Sequence, residues 1–515
     1  MEDEIKKYRE KKAEAEQGGG EARIEAQHKK GKLTARERIA AFLDPGSFFE
    51  LNLFAESPST TFDMPEKKGP GDGVIAGWGK IAGREVCLYA QDATVLGGSI
   101  GPVHGRKMFA AAELARKRGV PLIGLLDSGG LRIQEAQAGP HGGEAIFLAN
   151  TLASGIVPQI AVILGPCAGV AVYSPALMDF VIMAEGIGNM FITGPKVIEE
   201  VTGEAIALEA LGGAGVHCTR TGVADLRGAS EQECFALVRE LLSYLPQNHL
   251  EAPPLVDLGD DPARRTDSLA DLVPLDPRQP YDVRQVIQGL ADSGRYFEIK
   301  PEFAAEASVG FVRLAGRTVG VIANNPMHLA GSLTVDASDK CARHIRFCDC
   351  FNLPLLYLMD VPGYFPGVLQ EHSGIIRHGA KMLYAFCEAS VPKVTLILRK
   401  GYGGGILAMG GSKAMGADLI LAGPAAEMGV VGAEAAVNVL FHQELEKAED
   451  PDRARAEKVQ EFREKFANPY YSARTGAIDD VVEPGETRLR LIQAFAFFSG
   501  KHELRPRKKH GNIPL

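Results

Sequence analysis

No apolar run in this sequence approaches the roughly 18 residues needed to cross a bilayer, so direct membrane insertion is not expected and the chain reads as soluble. No CxxC pair occurs among its eight cysteines, the closest two being Cys348 and Cys350, so neither a zinc ribbon nor any other structural metal is expected. Cysteines scattered in this way read as reduced residues of a cytoplasmic protein. Positive charge is also short. A net charge of −9 argues against nucleic acid or an anionic membrane as a partner, because either would need a basic face. A phosphorylated ligand would then have to meet a local cluster of cations. The chain has no GxSxG elbow, no HExxH helix and no GxxxxGK[ST] loop, and no His, Ser and Asp constellation stands out. Residues 1–32 are dense in both Lys and Glu, unlike a signal or transit peptide.

What the chain does have is an internal repeat. At 515 residues, 45% of them hydrophobic, it exceeds what one core usually serves. Gly77-Trp78-Gly79-Lys80-Ile81-Ala82-Gly83-Arg84 returns 233 positions later as Gly310-Phe311-Val312-Arg313-Leu314-Ala315-Gly316-Arg317. Gly98-Ser99-Ile100 returns as Gly331-Ser332-Leu333, and the apolar run ending in Asp127 returns as the run ending in Asp360, both at the same offset. Val157-Pro158 returns as Val391-Pro392, one residue further out. Four registers that agree within one residue indicate a tandem duplication. The reading is an N-terminal domain over 1–250, a linker over 251–280 and a C-terminal domain over 281–515. Seven prolines between residues 245 and 281 suit an extended connector.

Within each copy, short apolar runs (121–126 and 159–164; 354–359 and 393–398) alternate with helical stretches such as 105–118 and 340–351. The runs are apolar enough to be strands buried on both faces, which gives an α/β fold. Glycine-rich turns follow them: Leu96-Gly97-Gly98-Ser99, Gly165-Pro166-Cys167-Ala168-Gly169 and Gly401-Tyr402-Gly403-Gly404-Gly405. Such a turn leaves backbone N–H groups free to point at a ligand. A pair of them suggests two oxyanion holes, each stabilising a carbonyl oxygen that gains negative charge. His104, His141, His372 and His378 read first as core or surface residues. Asp127 and Asp360, at strand ends, are candidate bases, although carboxylates there more often cap a turn.

Several stretches together resemble the acyl-CoA carboxyltransferases, the family of the propionyl-CoA carboxylase β subunit. They are His28-Lys29-Lys30-Gly31-Lys32-Leu33-Thr34-Ala35-Arg36-Glu37-Arg38-Ile39, Asp127-Ser128-Gly129-Gly130-Leu131-Arg132-Ile133-Gln134-Glu135, Gly165-Pro166-Cys167-Ala168-Gly169, Tyr173-Ser174-Pro175-Ala176, Phe191-Ile192-Thr193-Gly194-Pro195, Asp360-Val361-Pro362-Gly363, Gly374-Ile375-Ile376-Arg377-His378-Gly379-Ala380-Lys381 and Asn512-Ile513-Pro514-Leu515. The resemblance implies two crotonase-like domains, each a ββα superhelix, with acyl-CoA at the first and biotin at the second. It implies a homohexamer whose active sites lie between domains of neighbouring subunits. It also implies that the carboxyl group passes from carboxybiotin to the α-carbon of a short acyl-CoA through an enolate, with the biotin nitrogen as base. Carried over by motif, Gly169 with Val170 forms the first donor pair and Gly404 with Gly405 the second. Val170 and Gly405 depart from the family's Gly and Ala. Gly97, Gly98, Arg106 and Lys107 resemble the CoA-binding segment, with Lys29, Lys32 and Arg36 as further phosphate partners. Leu407 stands where propionyl-selective relatives place Asp, and Ile406 where they place Tyr.

No biotin-attachment sequence of the Met-Lys-Met type occurs, and Ala380-Lys381-Met382 is a partial echo only. Biotin is therefore expected on another polypeptide, a biotin carboxylase or carrier subunit. Other readings are the α subunit of a sodium-pumping methylmalonyl-CoA decarboxylase, a crotonase-type hydratase or isomerase, and a non-catalytic scaffold.

Overall fold

The computed structural model describes residues 1–136 and 143–515; His141 lies outside them. The chain forms two units, Met1–Glu251 and Ala252–Leu515. The proline-rich segment from Ala252 onward belongs to the second unit, where Arg399 donates to the carbonyls of Pro274, Asp276 and Gln279.

The first unit is built on strands β1 (Phe49–Leu51), β2 (Val74–Ile81), β3 (Arg84–Gln91), β4 (Leu122–Ser128), β5 (Gln159–Ala168), β6 (Phe180–Ala184), β7 (Asn189–Phe191) and β8 (Leu226–Gly228). They lie in the order β1-β2-β3-β4-β5-β6-β8, with β7 also against β5. The second unit has β9 (Tyr296–Ile299), β10 (Ala307–Leu314), β11 (Arg317–Asn324), β12 (Leu355–Val361), β13 (Lys393–Tyr402), β14 (Leu419–Ala422), β15 (Glu427–Gly429) and β16 (Asp480–Val481). Their order repeats the first: β9-β10-β11-β12-β13-β14-β16, with β15 on β13. In each sheet an antiparallel hairpin leads into parallel strands. The four apolar runs are strands β4, β5, β12 and β13, and the helical stretches are Pro102–Arg118 and Val335–Cys350.

The duplication extends to turn chemistry. Both hairpins turn through Ala-Gly with positive φ at each residue, 49° and 79° at Ala82 and Gly83 and 49° and 78° at Ala315 and Gly316. Two positive-φ residues suit a two-residue hairpin whose twist matches its strands. An aspartate receives both N–H groups of each turn, Asp44 in the first unit and Asp292 in the second. The cores are apolar layers between sheet and helices. Met108, Ala112, Leu122, Ala161 and Met183 pack together in the first unit. Val286, Val321, Leu358, Leu396 and Leu491 do so in the second.

Candidate active site

Three turns meet at the carboxyl ends of the parallel strands of the first unit, the usual place for a ligand in an α/β sheet. The turn Leu96–Gly98 follows β3, Gly129-Gly130 follows β4, and Gly169–Val172 follows β5. Gly129 N–H donates to the Gly97 carbonyl, and Ile100 N–H to that of Gly130. Glycine is required at position 98. Its φ is +63°, and a Cβ there would sit 2.2 Å from the Asp127 carbonyl oxygen. At Gly97, also at positive φ, a Cβ would meet open space.

The second unit repeats this arrangement. Leu329 and Ala330 have φ of 46° and 54°, matching 51° and 62° at Leu96 and Gly97. Gly331 faces the Asp360 carbonyl as Gly98 faces that of Asp127. Keeping a left-handed turn where Ala replaces Gly costs about 1–2 kcal/mol, a strain usually retained at ligand sites.

The two glycine turns expected to act as oxyanion holes lie at matching points. Gly169 and Gly403, each the residue after β5 or β13, have φ of 59° and 57°. A Cβ at Gly169 would come no nearer than 3.8 Å to the Ile192 carbonyl, and one at Gly404 no nearer than 3.6 Å to the Tyr364 ring. Each turn opens a short helix, Gly169–Val172 or Gly403–Ala408, whose first N–H groups have no partner within the helix. The repeat matches Gly169 with Gly403 and Val170 with Gly404, so Gly405 corresponds to Ala171. Gly404 is exposed and Gly405 buried. Exposed apolar side chains rim both turns: Ile192 and Tyr173 in the first unit, Val430 and Leu407 in the second.

The expected cations divide sharply. Arg106 is exposed, and Lys29 is exposed beside Glu25. Arg36 is partly buried against Glu50 at 2.9 Å. Lys107 and Lys32 are not available for a phosphate. Lys107 is 1% exposed and donates to the Gly71 carbonyl at 3.1 Å, and burial lowers its pKa to about 8. Its repeat partner Lys340 is likewise buried, holds the carbonyls of Lys300, Phe303 and Ala307, and is lowered to about 8. The ammonium of Lys32 lies 2.8 and 2.6 Å from the two oxygens of Asp127, and burial lowers its pKa against the pull of that carboxylate.

Asp127 and Asp360 are fully enclosed and bound to cations. Asp127 accepts from Gln27, Lys32 and Arg38, and Asp360 from the Arg399 Nε at 2.9 Å. Arg38 owes its place to a capping box. Thr34 and Glu37 exchange hydrogen bonds and start the helix Ala35–Phe42, which turns Arg36 outward and Arg38, Ile39 and Phe42 inward.

Burial pushes the Cys167 thiol above its usual range, and His104 down to about 3, against the Asp72 carbonyl. His372 is exposed, and His378 pairs with Asp339. Lys381 bonds Asp339 at 2.7 Å from within the helix Ile375–Glu388. Sequence reasoning missed Gln27, Arg38 as a buried clamp, and Tyr364, whose ring packs on Gly404 and Gly379. The repeat offset at Pro158 and Pro392 carried the signal that pairs Gly169 with Gly403.

Residues 26–513 match the model of the carboxyl transferase domain family. The chain is 52% identical to the propionyl-CoA carboxylase carboxyltransferase subunit of Haloferax mediterranei, over all of both chains. It is 49% identical to methylmalonyl-CoA decarboxylase subunit alpha of Veillonella parvula, over all of this chain and 99% of that one. Among solved structures it superposes on transcarboxylase 12S, with methylmalonyl-coenzyme A and methylmalonic acid bound, at a TM-score of 0.97 and 46% identity, covering 100% and 98% of the two chains. The fold is thus a duplicated crotonase-like one. The chain belongs to the carboxyl transferase family, and it is a carboxyltransferase of the biotin-dependent acyl-CoA carboxylase type.

Proposed function

We propose that the chain moves a carboxyl group between biotin borne by another polypeptide and the α-carbon of a short acyl-CoA. The observation that carries this reading is the glycine turn built twice, with a left-handed glycine directly after the strand and an apolar rim each time. Removing the α-proton of a thioester puts negative charge on its oxygen. The N–H groups of the turn from Gly169 to Ala171 would receive that charge, and loss of one such donor costs about 100- to 1000-fold in rate. Because it needs only backbone N–H, the turn tolerates Val170. The turn from Gly403 through Gly404 and Gly405 would hold the ureido oxygen of biotin in the same way, and a side chain at position 404 would enter the space that ring needs. Biotin in its N-carboxylated form supplies the carboxyl group and, once that group has left, the nitrogen that takes the α-proton. The protein itself then needs no base, in keeping with the enclosure of Asp127 and Asp360.

Arg106, Lys29 and Arg36 would meet the CoA phosphates. Gly97 and Gly98 would bring backbone close to the pantetheine arm. Leu407 would form part of the acyl wall. The partners are a biotin carboxylase and its carrier, in the cytoplasm, and the chain is a homohexamer as in transcarboxylase 12S. The decarboxylase reading uses the same residues in the reverse direction and rests on the Veillonella relative.

The purified chain should sediment as six 55.1 kDa subunits, bind propionyl-CoA, and fix no bicarbonate with ATP. ATP-dependent carboxylation by this chain alone would contradict the assignment.

A further inference from the structure

The geometry points to Asp127 with Arg38, and Asp360 with Arg399, as positioning pairs that set the aim of the two oxyanion turns. This rests on the proposed function and adds residues that touch neither substrate.

Both aspartates stand where the pairing of parallel strands slips, between Leu126 and Ser128 on β4 and between Met359 and Val361 on β12. Each N–H is taken by an amide side chain on the preceding strand, Gln91 or Asn324. Each carbonyl oxygen faces the glycine of the neighbouring turn, Gly98 or Gly331. The carboxylate is then tied to the next strand, directly or through Arg38, three to five residues ahead of the glycine that opens the turn. In the first unit Arg38 bonds the Asp127 carboxylate at 3.0 Å and the Leu164 carbonyl of β5 at 2.8 Å. In the second, the Asp360 carboxylate receives Arg399 Nε at 2.9 Å and the Lys400 backbone N–H at 3.2 Å, both on β13.

The cations are not equivalent in the repeat. Arg399 stands four residues before Gly403, where the first unit has Gly165. A Cβ at Gly165 would lie 2.0 Å from the Asp127 carboxylate and 2.6 Å from Lys32. The space filled by a side chain of β13 in one unit is filled in the other by an arm from before the sheet, carrying Lys32 and Arg38. The same enclosed carboxylate is thus neutralised twice by different means. Stability alone does not call for that, since a well-packed apolar replacement of a buried ion pair is often neutral or better. Holding two strands in register just ahead of a donor turn does call for it, because about 1 Å of misplacement can cost roughly 100-fold in rate.

The test uses propionyl-CoA labelled with ¹³C at its thioester carbonyl, bound to the full-length hexamer and followed by difference infrared spectroscopy. Bound to the wild type, the carbonyl stretch should move to lower frequency than in water. Asp127→Asn should lose most of that shift, and kcat should fall about 100-fold with the KM for propionyl-CoA little changed. Asp360→Asn should keep the acyl shift while also losing kcat. Gln27→Leu, which leaves both ion pairs in place, should give a smaller loss in the direction of Asp127→Asn, and it decides the matter if Asp127→Asn does not fold. A folded Asp127→Asn or Gln27→Leu with the full wild-type shift would overturn the inference, as would loss of the acyl shift in Asp360→Asn. Absence of a shift in the wild type would instead overturn the assignment of the Gly169 turn.

Discussion

Single side chains and single glycines bear the sharpest expectations. Leu407 is 41% exposed beside the second glycine turn. An apolar wall there lacks the charge that Asp would bring and that would need water or a partner. Leu407→Asp should redistribute kcat/KM among acetyl-, propionyl- and butyryl-CoA. Pocket changes of about one methylene discriminate roughly 10- to 200-fold, so the spectrum should shift with leakage between chain lengths. Equal relative kcat/KM values in the two proteins would remove Leu407 from the acyl wall. At the first turn, Gly97→Ala should cost about 1–2 kcal/mol from its left-handed backbone alone. Gly98→Ala should cost more, since its Cβ would lie 2.2 Å from a backbone oxygen. Thermal unfolding of the two variants checks the order, and equal midpoints would contradict it. Neighbouring residues can thus have different tolerances that sequence does not show. The same holds for Lys32 and Lys107. Both read as surface cations by residue type, and both are buried because a backbone carbonyl or an aspartate beyond the local motif receives them.

At the level of elements, much was legible. The apolar runs became buried parallel strands, and their spacing from the shared prolines located the glycine turns. What was not legible was long-range register. Which glycine stands first after β13 depends on where the strand ends, and backbone angles of 59° and 57° bear out the match of Gly169 to Gly403 that the proline offset implies. The lysine clamps also belong to this scale, since Lys107 and Lys340 tie a helix to the loop before the sheet hairpin. Lys340 should leave a pH signature. Its pKa, about 8 when folded against an ordinary 10.5, means that the unfolded chain binds an extra proton between those values. Stability therefore rises with pH across that window, by up to about 1.4 kcal/mol per pH unit. The wild type should gain on Lys340→Met as pH rises from 8 to 10, and hold a constant difference below about pH 7. A constant difference throughout would mean that Lys340 titrates normally in the folded protein.

Across the whole molecule, the duplication is the feature most plainly written in the sequence, and it is also what makes the chemistry readable. Two sheets share one order, and in each a left-handed glycine follows the corresponding strand; in the proposed reading one turn serves a thioester oxygen and the other a second carbonyl. Transfer can be measured directly without ATP. The purified chain would be mixed with a separately biotinylated carrier and methylmalonyl-CoA labelled in its free carboxyl group, and label followed onto the carrier. The account predicts labelled carrier with release of propionyl-CoA, and loss of both when Gly404 is changed to Val. An unlabelled carrier, in a mixture where the chain demonstrably binds the CoA ester, would contradict it.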